Sequence, residues 1–145
     1  MKASLRQDDI DDMDLIAGNA YDADTQGTGW FIGFSDWSRH GPGELLHVPQ
    51  DQAVQGLCVK WFDHPSGHES GLGKPLSEGR TVSILASAGS CFRIDFSADP
   101  GFPAALTRSV LLRRPGDYAA WGAGLHHRWA ALERSTVITL RWNPA

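Results

Sequence analysis

Residues 116–127, with the sequence Gly-Asp-Tyr-Ala-Ala-Trp-Gly-Ala-Gly-Leu-His-His, constrain the fold more than any other part of the chain. A short aromatic run ends at Gly122 and Gly124, which can adopt positive φ angles without a Cβ clash and so favour a chain reversal. The pattern predicts two antiparallel strands joined by a tight turn. Because side chains alternate along a strand, His127 shares a face with Trp129 in the second strand. We expect this to be the inner face, where His127 is placed to hold a metal ion or a substrate.

The spacing of these residues resembles the second sequence motif of the cupin family, G-x5-P-x-G-x2-H-x3-N. Gly116, Gly124 and His127 match the motif. Gly122 stands where the motif has proline, and Ala131 where it has asparagine. The resemblance is to small single-domain cupins.

The resemblance extends over residues 29–142 and implies a jelly-roll β-barrel. Cupins commonly pair through sheet edges, so it also implies a homodimer. The cupin fold hosts enzymes, sensors and storage proteins, and the resemblance therefore does not specify a reaction.

The first cupin motif, G-x5-H-x-H-x3,4-E-x6-G, is incomplete in this chain. Gly89 best matches its closing glycine, which places Val82 at the position of the glutamate. No H-x-H sequence precedes it, and the nearest candidates are His64 and His68. Together with His127 they are the candidate ligands of one divalent transition metal, which would be Zn, Fe, Mn, Ni or Cu. The alternative, that no metal binds, stays open.

The chain after residue 27 has the pattern of an all-β domain. Short runs of β-branched and aromatic residues alternate with Gly- and Pro-containing turns, which is typical of a sandwich or barrel. The predicted strands are 30–34, 45–48, 56–62, 81–86, 91–96, 109–113, 118–121, 125–132 and 136–142. We assign residues 27–145 to a cupin-like jelly-roll β-barrel.

Residues 1–26 form a segment of different character, rich in aspartate and poor in apolar residues. Such a composition predicts an acidic N-terminal arm, either solvated or packed on the barrel or on a neighbouring subunit. A short helix over residues 8–17 is the alternative, because aspartates in a first turn favour the helix dipole.

Charge and hydropathy exclude several classes of partner. The chain has 145 residues, a formal net charge of −4 at pH 7 and no dense lysine and arginine cluster, which argues against nucleic acid. No apolar run is long enough to span a membrane, and the acidic N-terminus does not have the pattern of a signal peptide. We expect a cytoplasmic protein without a membrane partner. Cys58 and Cys91 lie in predicted strands, where we expect buried reduced thiols rather than a disulfide.

Aromatic side chains are the candidates to line a pocket for a small-molecule ligand. They are Trp61, Tyr118, Trp121 and Trp129. The alternative is that these rings simply fill the barrel.

Four basic residues occupy strand positions from which they could point inward: Lys60, Arg80, Arg93 and Arg141. An inward guanidinium would favour a carboxylate or phosphate ligand. The sequence does not select among the four.

Two functions remain open. In the first, the barrel is a small-molecule enzyme in which His127 is a metal ligand or a general base. In the second, it is a metal-free ligand-binding or interaction module. The loop histidines and the many aromatic residues favour the first function, and the incomplete first motif favours the second.

Overall fold

A computed structural model describes residues 13–25, 27–33, 46–47, 54–71, 76–77 and 79–144. The strands in these ranges are β1 (Leu15–Asn19), β2 (Ile32–Gly33), β3 (Leu46–His47), β4 (Val54–His64), β5 (Arg80–Leu85), β6 (Cys91–Ser97), β7 (Thr107–Leu112), β8 (Asp117–Trp121), β9 (His126–Glu133) and β10 (Ser135–Pro144). Two short 3-10 helices cover Ala20–Asp22 and Ala104–Leu106. Neither of these helices has the length or the apolar character needed to cross a membrane.

The strands form two antiparallel sheets and one small parallel pair. The larger sheet has five strands in the order β1-β8-β5-β10-β4, and the smaller has three in the order β7-β6-β9. Strands β2 and β3 pair separately, in parallel. Buried side chains from both antiparallel sheets meet in one hydrophobic cluster, so the two sheets pack face to face.

Residues 67–70 extend the smaller sheet along the free edge of β9. The amide of Gly67 donates to the Ala131 carbonyl at 2.8 Å, and the amide of Ala131 donates to the His68 carbonyl at 2.8 Å. Counting this segment and leaving aside β1 at the far edge of the larger sheet, the two facing sheets have the orders β4-β10-β5-β8 and (67–70)-β9-β6-β7. This is the strand order of a jelly roll, so the prediction of an all-β jelly-roll barrel is confirmed.

Successive side chains of β6 point alternately into the core and to the outer surface of the smaller sheet. Phe92, Ile94 and Phe96 point into the space between the sheets and are buried. Arg93 and Asp95 point to the other side of the smaller sheet, where their side chains form an ion pair. The inner face of this sheet is therefore apolar and its outer face is charged.

The N-terminal segment belongs to the barrel from Met13 onward. Strand β1 pairs with β8, and Leu15 lies opposite Trp121. Met13 and Leu15 are both buried in the main hydrophobic cluster. Residues 13–19 thus pack on the barrel, which was one of the two arrangements expected for the acidic segment, and residues 15–17 are strand rather than helix. Residues 1–12 lie outside the described residues.

Both cysteines were expected to be buried, and Cys58 is not. Cys91 is half-buried, whereas Cys58 is exposed, and the two do not form a disulfide. The reason is that β4 is an edge strand of the five-stranded sheet, so the thiol of Cys58 is not covered.

Candidate functional site

A cavity of about 400 Å³ lies between the two sheets. Its described lining residues are Cys58, Val59, Lys60, Phe62, His64, Leu76, Ser77, Thr81, Ser83, Phe92, Ile94, Trp121, His127, Trp129, Val137, Thr139 and Arg141. The volume falls within the usual range of small-molecule sites. The aromatic residues therefore do not fill the barrel completely, and the interior has room for a ligand.

One wall of the cavity is polar and comes from three neighbouring strands of the larger sheet. In β4, β10 and β5, Lys60 lies opposite Thr139, which lies opposite Ser83. The Ser83 and Thr139 hydroxyl oxygens are 2.8 Å apart and share a hydrogen bond. One step along the same face, Arg141 lies beside Thr81. Inward-pointing hydroxyl and cationic groups thus converge on one side of the cavity.

The facing wall is apolar and comes mainly from the smaller sheet. Phe92 and Ile94 from β6 and Trp129 from β9 line it, and Ile94 is paired in register with Trp129. The rings of Phe92 and Trp129 stack with centroids 5.6 Å apart. Trp121, from the larger sheet, adds a further ring to the lining. A planar apolar group would meet aromatic surface on this side.

His64 and His68 form a close pair at one end of the cavity. The Nδ1 atoms of the two rings lie 3.0 Å apart, so one Nδ1–H donates to the other Nδ1. The His64 ring packs against Phe62, Trp129 and Phe92, with centroid distances of 4.4, 4.5 and 4.9 Å. The pair is therefore enclosed by aromatic rings.

This enclosure keeps His64 uncharged at neutral pH. Burial is the largest cause that lowers the pKa of His64 from 6.5 to about 4. The neighbouring His68 and Lys60 lower it further, and Asp63 acts in the opposite direction. Only 4% of His64 is exposed, which fits burial as the dominant cause.

His127 also lines the cavity, but its neighbours differ from those of His64. It lies opposite Phe96 in the smaller sheet, and its ring centroid is 5.4 Å from that of Trp121. His64 and His68 instead contact Trp129, two positions further along β9. His64 and His127 therefore line different parts of the cavity, and His68 contacts His64 from outside the described lining.

The residues do not fit the metal site that the sequence suggested. Among the described residues, no group of three or more His, Cys, Asp or Glu side chains could hold a metal ion. Zinc sites use at least three protein ligands, and His64 and His68 provide two. Because His127 belongs to a different part of the lining, the predicted set of three histidines does not assemble here.

Two of the predicted pocket aromatics lie elsewhere. Trp61 is 64% exposed on the outer face of β4. Tyr118 pairs with Ile84 on the outer face of the larger sheet, and its ring packs against Phe31 at 5.3 Å. Neither residue lines the cavity. Alternation puts both side chains on the opposite face of the sheet from Phe62 and Trp121.

A buried serine that the sequence did not single out fixes the loop near His127. The Ser77 hydroxyl lies 2.9 Å from the Gly122 carbonyl oxygen and 3.1 Å from that of Leu125. The Gly124 amide donates to the Ser77 carbonyl at 2.9 Å. These bonds tie residues 76–77 to the turn between β8 and β9, which positions Ser77 as part of the lining.

Comparisons with known proteins give distant structural likenesses. No protein-family model and no curated protein matches the chain. A solved structure that matches is "Streptomyces albus HEPD with substrate 2-hydroxyethylphosphonate (2-HEP) and Fe(II) bound". The sequences are 12% identical, the TM-score is 0.46, and the match covers 61% of this chain and 18% of that chain.

Proposed function

We propose that this protein binds a small organic molecule inside its barrel. The observation that carries the proposal is a cavity of about 400 Å³ with an aromatic wall on one side and a polar wall on the other. Small-molecule sites typically combine a mostly apolar lining with a few convergent polar groups. We further propose that the chain is a small single-domain relative of the cupins in which hydroxyl and basic side chains line the cavity in place of a metal-ligand set.

A second candidate function is general-base catalysis on the bound molecule. It is favoured by the position of His127, which lines the same cavity as the proposed ligand. An imidazole at this place would take a proton from a ligand held against Trp121 or Trp129. Loss of turnover in His127→Gln, with ligand affinity retained, would distinguish catalysis from binding alone.

Ligand binding should depend on Trp129 and not on Trp61. The two tryptophans are a matched pair, because Trp129 lines the cavity and Trp61 lies on the outer face of β4. In a titration with a panel of mono- and bicyclic aromatic compounds, Trp129→Leu should weaken binding about 10-fold, since an aromatic contact contributes ~0.5–1.5 kcal/mol beyond its buried area. Trp61→Leu should bind like the wild type.

Isothermal titration calorimetry measures both affinities, and circular dichroism verifies that each variant keeps its β signal. The proposal fails if no compound in the panel binds in the millimolar range or better. It also fails if Trp61→Leu weakens binding as much as Trp129→Leu, because binding would then occur on the outer surface.

A further inference from the structure

We infer that the ligand of this cavity is an organic carboxylate whose anionic group lies against Lys60 and Arg141. The inference rests on the proposed function, because it names the chemistry of the molecule that the cavity takes. Both basic residues line the cavity.

The charge of the lining is the first observation in its favour. Lys60 and Arg141 are basic, and the described lining residues include no aspartate or glutamate. His64, with its lowered pKa of about 4, adds no charge at neutral pH. The described part of the lining is therefore positively charged, which favours an anion over a neutral or cationic ligand.

The strand register brings the two cations together. Lys60 lies opposite Thr139, and Arg141 lies opposite Cys58, so Lys60 and Arg141 are diagonal neighbours on the inner face of β4 and β10. Diagonal neighbours in an antiparallel pair are separated by about 7–8 Å, which long side chains span. One carboxylate can therefore contact both side chains, and Thr139 is a neighbour of each, opposite Lys60 and two residues before Arg141.

The other two candidate cations lie outside the cavity lining. Arg80 donates from Nη1 and Nη2 to the two carboxylate oxygens of Asp14 at 3.0 and 3.2 Å. Arg93 lies on the outer face of the smaller sheet, 3.4 Å from Asp95. The structure thus selects two of the four basic residues that the sequence left open.

The apolar wall indicates the rest of the ligand. With the carboxylate on the wall formed by β4 and β10, the body of the molecule extends toward Phe92, Ile94 and Trp129. These side chains offer ring faces and aliphatic surface and carry no charge. An aromatic carboxylate matches both walls, because its anionic group suits the basic side chains and its ring suits the apolar ones.

Two probes of nearly equal shape test this inference, 2-naphthoate and its uncharged analogue 2-naphthamide. The full-length protein should bind the carboxylate about 10–100-fold more tightly, because hydrogen bonds to charged groups contribute ~1.5–3 kcal/mol. Lys60→Gln and Arg141→Gln should each weaken naphthoate binding about 10-fold and change naphthamide binding less than about 2-fold. Both residues are exposed, so neither substitution removes a buried side chain.

Arg134→Gln is the matched control, because it removes the same charge from an exposed residue outside the described lining. It should leave the affinity for naphthoate unchanged. Equal affinity for the two probes, or equal loss in Arg134→Gln and Arg141→Gln, would overturn the inference while the proposed function stands. Much tighter binding of 2-naphthyl phosphate than of naphthoate would overturn the assignment of a carboxylate. Failure of every probe to bind would count against the proposed function itself.

Discussion

Lowering the pH from 6.5 to 4 is expected to remove about 3 kcal/mol of unfolding free energy through His64 alone. In the unfolded chain this imidazole takes up a proton near pH 6.5, whereas in the folded protein its pKa is lowered to about 4, chiefly by burial. The unfolded state therefore binds more protons between these two values. The contribution of His64 to stability is complete well above pH 6.5, declines as the pH falls through 6.5 and 4, and levels off well below pH 4.

Urea unfolding at several pH values between 7 and 4 measures this effect. His64→Phe keeps a planar ring among Phe62, Phe92 and Trp129 and removes the titrating group. Its stability should fall less steeply with acid than that of the wild type, and the difference between the two curves isolates His64. His126→Gln, outside the aromatic enclosure, should follow the wild-type curve. The assignment is contradicted if His64→Phe loses stability as steeply as the wild type does.

Gly79→Ala is expected to destabilise the protein by about 2–5 kcal/mol, far more than the same change at Gly89. Both glycines have nearly the same backbone angle, with φ of +71° at Gly79 and +68° at Gly89. A left-handed conformation costs an alanine ~1–2 kcal/mol at either position. At Gly79, however, a Cβ atom would overlap the backbone oxygen of Trp142, and relieving that overlap costs a further ~1–3 kcal/mol.

Gly89 is the matched control, because no heavy atom lies within 4 Å of the position that a Cβ atom would occupy there. Chemical denaturation of the two alanine variants side by side separates backbone strain from the steric overlap. Equal loss of stability in both variants would show that β5 and the end of β10 are not packed as closely as described.

The hairpin around residues 116–127 could be predicted because its signal is local. Two glycines mark the turn, and strand alternation then places His127 and Trp129 on one face, as the structure has them. The strands that follow, up to residue 142, were also recognisable, because each is a short β-branched or aromatic run between turn residues.

Trp61 and Tyr118 lie on the outer faces of their strands, and hydrophobic alternation could not predict this. In β4 the outward row that contains Leu57 and Trp61 is more apolar than the inward row that contains Cys58 and Lys60. Hydrophobic alternation therefore points to the wrong face of this strand. Tyr118 is different, since β8 is buried on both faces and its sequence has no alternation to interpret.

The other features that the sequence did not predict depend on contacts between residues that are far apart in the chain. His64 and His68 meet because the turn after β4 returns the chain beside β9, and no local pattern encodes that pairing. Leu15 becomes part of a strand only because β8 offers it a partner in Trp121. The polar wall could not be predicted either, because Ser and Thr side chains are more often exposed than buried.

Two-dimensional NMR of the labelled protein, titrated with 2-naphthoate, tests most directly whether the interior of the barrel takes a small organic molecule. The chain has six tryptophans, and single Trp→Phe variants assign their indole N–H signals. Binding inside the barrel predicts that the signals of Trp121 and Trp129 shift in a saturable way, while those of the exposed Trp30 and Trp61 do not. Shifts confined to Trp30 and Trp61, or no saturable shift at all, would contradict an interior binding site.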